Sequence, residues 1–159
     1  MVIEAIIAIF LKYGLLGLLF SSFVSALVFI PGYSSFLIPI YVALHFNPWL
    51  ILVVLTVGAV SGEIVNYYLG FFGSKYIMHI EIKKAEKWLN KWGELSIFIV
   101  NLIPIFPADL VNTLVGFFRM DFKKFFLGMS AGKIIQYAFL IFAIEMLAKF
   151  FPMLLKVFL

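Results

Sequence analysis

Apolar positions run along this chain in blocks too long for the alternation of a strand or the single stripe of a soluble helix. Between Lys12 and Glu63 lie residues 13–62, with no Asp, Glu, Lys or Arg. A membrane crossing takes about 20 apolar residues. The run therefore exceeds two simple crossings, or makes one crossing and a hairpin that enters and turns back. Residues 2–30 read as helix, with Glu4 and Lys12 near its start and Gly14 and Gly17 inside, and Pro31-Gly32 breaks it. Residues 33–45 resume a helix with Pro39 inside. His45-Phe46-Asn47-Pro48-Trp49 reads as a turn carrying an interfacial aromatic, and 49–73 forms one long span ending near Gly70 and Gly73.

The pattern changes after Gly73. In 79–92 the residues Ile82, Ala85, Trp88, Leu89 and Trp92 share one helical face, and Lys83, Lys84, Glu86, Lys87 and Lys91 lie largely off it. That pattern predicts an interfacial helix in the headgroup plane. Residues 94–118 are long enough to span, but Pro104, Pro107 and Asp109 sit in the middle. Proline supplies no helical N–H, and irregular backbone at membrane depth survives only where protein or water covers it. This stretch is expected to be a re-entrant hairpin tipped near Pro104–Pro107. Arg119 to Lys124 forms a basic turn, 125–147 spans again, and 148–159 is a short amphipathic tail.

Composition fixes the class. Of 159 residues 65% are apolar and 13% charged, with 20 Phe and no Cys, and the mean hydropathy is +1.14. So small a soluble domain could not hide that much apolar surface. A cytosolic enzyme domain, a nucleic-acid reader and a disulfide scaffold are excluded, as are thiolate metal sites. The N-terminal run has no basic n-region or small-residue cleavage site, so it is expected to be retained helix and not a signal peptide. Continuous runs disfavour a barrel.

The chain also repeats itself. Lys12-Tyr-Gly-Leu-Leu16 matches Lys91-Trp-Gly-Glu-Leu95, Phe29-Ile-Pro-Gly-Tyr33 matches Leu102-Ile-Pro-Ile-Phe106, and Gly62-Glu-Ile-Val-Asn-Tyr67 matches Gly132-Lys-Ile-Ile-Gln-Tyr137, in the same order. The turn after the second hairpin carries Arg119, Lys123 and Lys124, whereas 45–49 carries no Lys or Arg. Positive charge stays cytoplasmic, so the equivalent turns are expected on opposite faces. The fold predicted is an all-α polytopic membrane protein, an inverted-topology repeat with two opposed re-entrant hairpins plus transmembrane helices. It is one membrane domain over 1–159: half one about 1–73, an amphipathic cytoplasmic connector about 74–92, and half two about 93–150. Transport sites in such repeats lie near the midplane. The side of the N-terminus stays open.

Gly62-Glu63-(x)3-Tyr67-(x)2-Gly70-(x)2-Gly73, Ile103-Pro104-Ile105-Phe106-Pro107, Val111-Asn112, Gly116, Phe122, Phe125 and Gly132 together resemble the DedA/VTT (SNARE-associated) membrane family over roughly 13–145. The P-x-x-P with a following V-N is most similar to the VTT branch. The resemblance implies facing re-entrant hairpins and phospholipid scrambling, or flipping of polyprenyl-phosphate carriers. Many bacterial members carry an acid after the first Pro-Gly and arginines three residues either side of the second hairpin's proline. Here those places hold Tyr33, Asn101 and Pro107. Passive, less selective lipid movement is the reading that fits these departures.

Glu63 lies mid-span, where an ionisable group costs at least about 2.5 kcal/mol and by default meets a partner or a wet cavity. It is expected to be a polar step on a headgroup path or a proton carrier, or else to pair with Lys133. Lys133 either makes that pair or snorkels to the interface. Asp109 is read as an N-cap or first-turn acid, or as a cation or proton site. Asn101 and Asn112 flank the second hairpin tip and satisfy broken backbone or meet a headgroup. Asn66, Tyr67, Gln136 and Tyr137 act as interhelical glue or line a groove. Pro31, Pro104 and Pro107 mark the hairpin tips, and Arg119, Lys123 and Lys124 contact lipid heads. No cofactor or metal is expected, and no enzyme motif is present. Partners are membrane phospholipids and no nucleic acid, with a homo-oligomer left open. The location expected is the cell membrane, as a multi-pass protein. The function expected is a scramblase or lipid transporter working without ATP. The alternatives are a proton- or ion-coupled transporter of a polyprenyl-phosphate carrier or small solute, and a non-transporting scaffold.

Overall fold

The computed structural model describes residues 2–27, 33–74, 82–104 and 107–150, with the side chains of 2–12, 33, 34, 36 and 82–90 left out. All the elements described are helices: α1 Val2–Leu27, α2 Tyr33–Ala43, α3 Pro48–Gly73, α4 Ile82–Leu102, α5 Ala108–Phe117 and α6 Phe122–Phe150. Two of them, α3 and α6, are long and apolar enough to cross a membrane. The first hairpin tip, Pro31, and the tail beyond Phe150 lie outside the described residues.

α1 is kinked at Gly14, which takes φ 50° and ψ −128°, a conformation that costs glycine little. The carbonyl of Gly14 accepts a hydrogen bond from the Tyr41 hydroxyl at 3.0 Å. α2 and α5 end in the same way. His45 (φ 59°) and Arg119 (φ 55°) are the left-handed residues of the two exits. Phe46 N–H donates to the Tyr41 carbonyl and His45 N–H to that of Val42; Met120 donates to Val115 and Arg119 to Gly116. Each set is a Schellman closure. The next helix then starts on a side-chain cap. Asn47 Oδ1 accepts from Trp49 N–H at 2.9 Å, and Asp121 Oδ1 accepts from Lys123 and Lys124 N–H at 3.0 and 3.1 Å. The repeat seen in three sequence matches thus extends to turns that share no residue type beyond a short polar cap.

Packing follows the same duplication. α1 lies against α3 and α4 against α6, while each long helix also packs on the other half's short one, α3 on α5 and α6 on α2. Glycines set the first pair of contacts. A Cβ on Gly62 would fall 2.8 Å from the Phe23 carbonyl oxygen, and one on Gly132 2.7 Å from that of Phe98. Small residues at such crossings let backbones approach where no hydrophobic force drives helices together. α3 and α6 run antiparallel: Trp49 meets Phe142 at one end, and Tyr67 and Tyr68 meet Phe122 at the other. Each repeated tyrosine is buried in the other half, Tyr137 among Leu18, Tyr41 and Leu55, and Tyr67 among Val115, Met120 and Phe125.

One expectation needs correction. The stretch assigned to a flat interfacial helix and the first arm of the second hairpin are a single helix, α4, so the boundary placed between 92 and 93 falls inside an element. Gly93 is the weakest helix former there, but it costs only about 1 kcal/mol relative to Ala. That does not stop a helix whose neighbours all favour it. The break expected at the prolines is present: α4 ends at Leu102 and α5 begins at Ala108, with Pro107 at its cap position.

Candidate functional site: a buried ionic cluster beside the helix break

Three ionisable side chains from three helices converge inside the bundle. Glu63, fully buried on α3, places Oε1 3.2 Å from the Lys133 Nζ of α6. Asp109, in the first turn of α5, places Oδ1 3.9 Å from the same nitrogen. Lys133 is 8% exposed; it does not snorkel, because its ammonium is held by these two carboxylates. Asp109 is not a capping residue either. Pro107 stands at the cap position of α5 and makes no side-chain cap bond, while the Asp109 acid benefits from the helix dipole. Two carboxylates against one ammonium leave the fully ionised cluster with one negative charge in excess, a costly state away from water.

Amides surround the cluster. Asn66 Nδ2 donates to the Ala26 carbonyl at 2.8 Å and to Glu63 Oε2 at 3.3 Å, tying α3 to α1 and fixing the acid. Asn101 and Asn112 exchange two hydrogen bonds of 3.1 Å across the α4–α5 break, and Asn101 also donates to the Ile97 carbonyl. The pair bridges the break and satisfies both amides without a headgroup. Tyr67 donates to the Met120 carbonyl at 2.6 Å, so it serves as glue between α3 and the turn before α6. Glu63 Oε1 faces the Lys133 ammonium, and Asn66 Oδ1 is buried without a hydrogen-bond donor.

The basic turn lies elsewhere. Arg119 Nε donates to Ser74 Oγ at 3.2 Å, and its guanidinium sits 5.6 Å from the Phe71 ring centroid. Lys123 is exposed and Lys124 half-buried. Arg119 thus fastens the end of α3, in addition to any lipid contact. Gln136 and Tyr137 are buried one turn beyond Lys133. Two contributors escaped the sequence reading, Ser74 and Tyr41. Ser74 is a lone hydroxyl after an apolar span, and nothing in its neighbours marks it. Tyr41 answers a kink at Gly14 that the matching Gly93, inside an unbroken helix, does not share. Among the described residues no group of three or more His, Asp or Glu side chains is placed to hold a metal ion.

Comparison with known proteins identifies the family. The family model described as the VTT domain matches residues 30–146, ending within α6. An uncharacterized protein of Methanocaldococcus jannaschii is 26% identical over 143 residues, covering 87% of this chain and 88% of that protein. Inner membrane protein YqaA of Escherichia coli is 28% identical over 126 residues, 78% of this chain and 86% of YqaA. No solved structure matches the chain. Because the matched region holds the Glu63–Asp109–Lys133 cluster, the proline break and both long apolar helices, the chain is a membrane protein of the VTT-domain (DedA) family.

Proposed function

We propose that the protein is a multi-pass protein of the cell membrane that moves phospholipid headgroups across the bilayer without ATP, along a polar seam bearing Glu63, Asp109 and Lys133. In this reading α2 and α5 are the inner arms of two re-entrant hairpins that enter from opposite leaflets, and the halves form an inverted-topology repeat. Transferring a charged or zwitterionic head into hydrocarbon is what makes unaided flipping slow. A seam offering both signs of charge stabilises the phosphate and the amine of such a head together. The observation that carries the proposal is the buried cluster itself: three ionisable groups on three helices beside a proline break, with large apolar side chains such as Leu16 and Phe139 more than 70% exposed around the outside.

The test is reconstitution into liposomes containing a trace of fluorescent phospholipid, with dithionite added outside. Scrambling predicts bleaching well beyond the outer-leaflet half with no ion gradient present, and a slower rate in Glu63→Gln. Bleaching that stops at the half, as in empty liposomes, would sink it. A proton-coupled carrier is the second reading, and the excess carboxylate of the cluster favours it, since one proton would neutralise the three groups. It predicts transport only under an imposed pH gradient, abolished in Asp109→Asn.

A further inference from the structure

We propose that the cleft between the α4–α5 break and α6 is a lipid slot in which Gln136 donates a hydrogen bond to the ester or ether oxygen joining a membrane lipid's chain to its head. The cleft has a volume of about 310 Å³, with Ile103 and Pro104 on one wall and Ile135, Phe139 and Leu140 on the other. Among the described residues Gln136 is the one polar side chain on its lining. It is 7% exposed, and none of the side-chain hydrogen bonds among the described residues involves it. Its repeat counterpart differs: Asn66 spends its amide on the Ala26 carbonyl. A primary amide carries two donors and an acceptor oxygen. Gln136 therefore keeps hydrogen-bonding capacity beside an otherwise apolar groove.

The source of the occupant follows from what surrounds the cleft. Ile135, Phe139 and Ile103 are 48%, 72% and 42% exposed, so on a membrane-embedded helix the mouth opens on hydrocarbon and is reached from the lipid phase. The register of α6 supplies the rest. Lys133 lies with the carboxylates, Gln136 follows three residues on, and Phe139 and Leu140 follow one turn further. Each three-residue step is about 4.5 Å along the axis. Charge, amide and hydrocarbon surface thus come in the order in which an amphiphile presents its head, its oxygen linkage and its chain. The slot would hold the linkage and chain of the lipid whose head engages the ionic cluster. The assignment rests on the lipid reading above, but it concerns equilibrium binding and not movement.

The experiment is photo-crosslinking of the full chain in liposomes of phosphatidylcholine and phosphatidylglycerol, using a phosphatidylglycerol with a diazirine near its acyl ester. Labelling is expected to concentrate on 102–104 and 135–140, above that at the lipid-facing Val53 and Val57 of α3. Gln136→Met, which keeps the length and removes the amide, should lower slot labelling about fivefold, the occupancy of one hydrogen bond. Ile103→Trp, which fills the cleft, should do the same. Labelling at Val53 and Val57 should stay unchanged in both variants, which reports that they fold and insert. Slot labelling no higher than at those two valines, or unchanged in Gln136→Met, overturns the assignment. Because no transport is measured, a failed scrambling assay leaves the slot result standing. Absent slot labelling alongside intact scrambling removes the slot alone.

Discussion

Lys133 sets one ammonium against two buried acids, and that makes it a sensitive position. Lys133→Met removes the ammonium and leaves Glu63 and Asp109 facing each other without a counter-charge. Breaking a buried pair by deleting one partner costs about 3–5 kcal/mol, chiefly the penalty of the stranded charge. Thermal unfolding in detergent should show that loss, and Lys133→Met/Glu63→Gln should recover most of it; no recovery would mean that Glu63 does not bear the stranded charge. The Asn101–Asn112 pair behaves differently because both bonds go to the same partner. Asn101→Ala should cost about 0.6–2 kcal/mol, the range of interhelical polar contacts in membranes, and adding Asn112→Ala should cost little more. Additive losses in that cycle would show that the two amides act separately. The pairing of Glu63 with Lys133 was legible in the sequence because both residues hold one place in a repeated motif. Asp109 joining them was not, since its position depends on how α5 folds back from a proline break, and no local pattern encodes that.

Contacts between helices turn on a few hydrogen atoms. Gly70 on α3 and Gly116 on α5 are backbone-to-backbone neighbours: a Cβ on Gly70 would strike the Thr113 carbonyl, and one on Gly116 that of Tyr67. The crossing cannot relax by moving a flexible side chain, because the obstacles are peptide groups. Gly116→Ala should therefore lose the monodisperse folded species on size exclusion. Gly73→Ala, where a Cβ meets nothing within 4 Å, should be neutral or stabilise by up to about 1 kcal/mol from helix propensity. If both substitutions behave alike, the close packing of α3 on α5 is wrong. Gly73 stood out in sequence at the end of an apolar run and Gly116 only within the family motif, and their opposite tolerance is a property of the neighbouring helix. The same reason explains α4. Hydrophobic periodicity marked 79–92 as amphipathic and 94–118 as apolar, and that change in pattern was read as a change of element. Periodicity reports which environment a face meets; only a breaker ends a helix, and Gly93 is too weak a one. The prolines at 104 and 107 were strong enough, and there the reading and the structure agree.

The two repeated turns lie at opposite ends of α3. Asn47 caps its first turn through Trp49 N–H, and Arg119, in the equivalent turn of the second half, bonds Ser74 just past its last residue. Twenty-six residues separate those ends, about 39 Å of helix against about 30 Å of hydrocarbon. If α3 crosses the bilayer, His45–Trp49 and Arg119–Lys124 face different compartments, and the positive charges of the second turn predict the cytoplasmic side for it. The chain has no cysteine, so single-cysteine variants are read without background. Lys123→Cys, at an exposed position, should react with a membrane-impermeant maleimide in inside-out vesicles and not in intact cells. Trp49→Cys, at a position 63% exposed, should do the reverse. Reaction of both from one side would mean that α3 does not separate the turns. The antiparallel pairing of α3 with α6 would then be that of a hairpin dipping into one leaflet, and the path proposed for lipid headgroups would have no second exit.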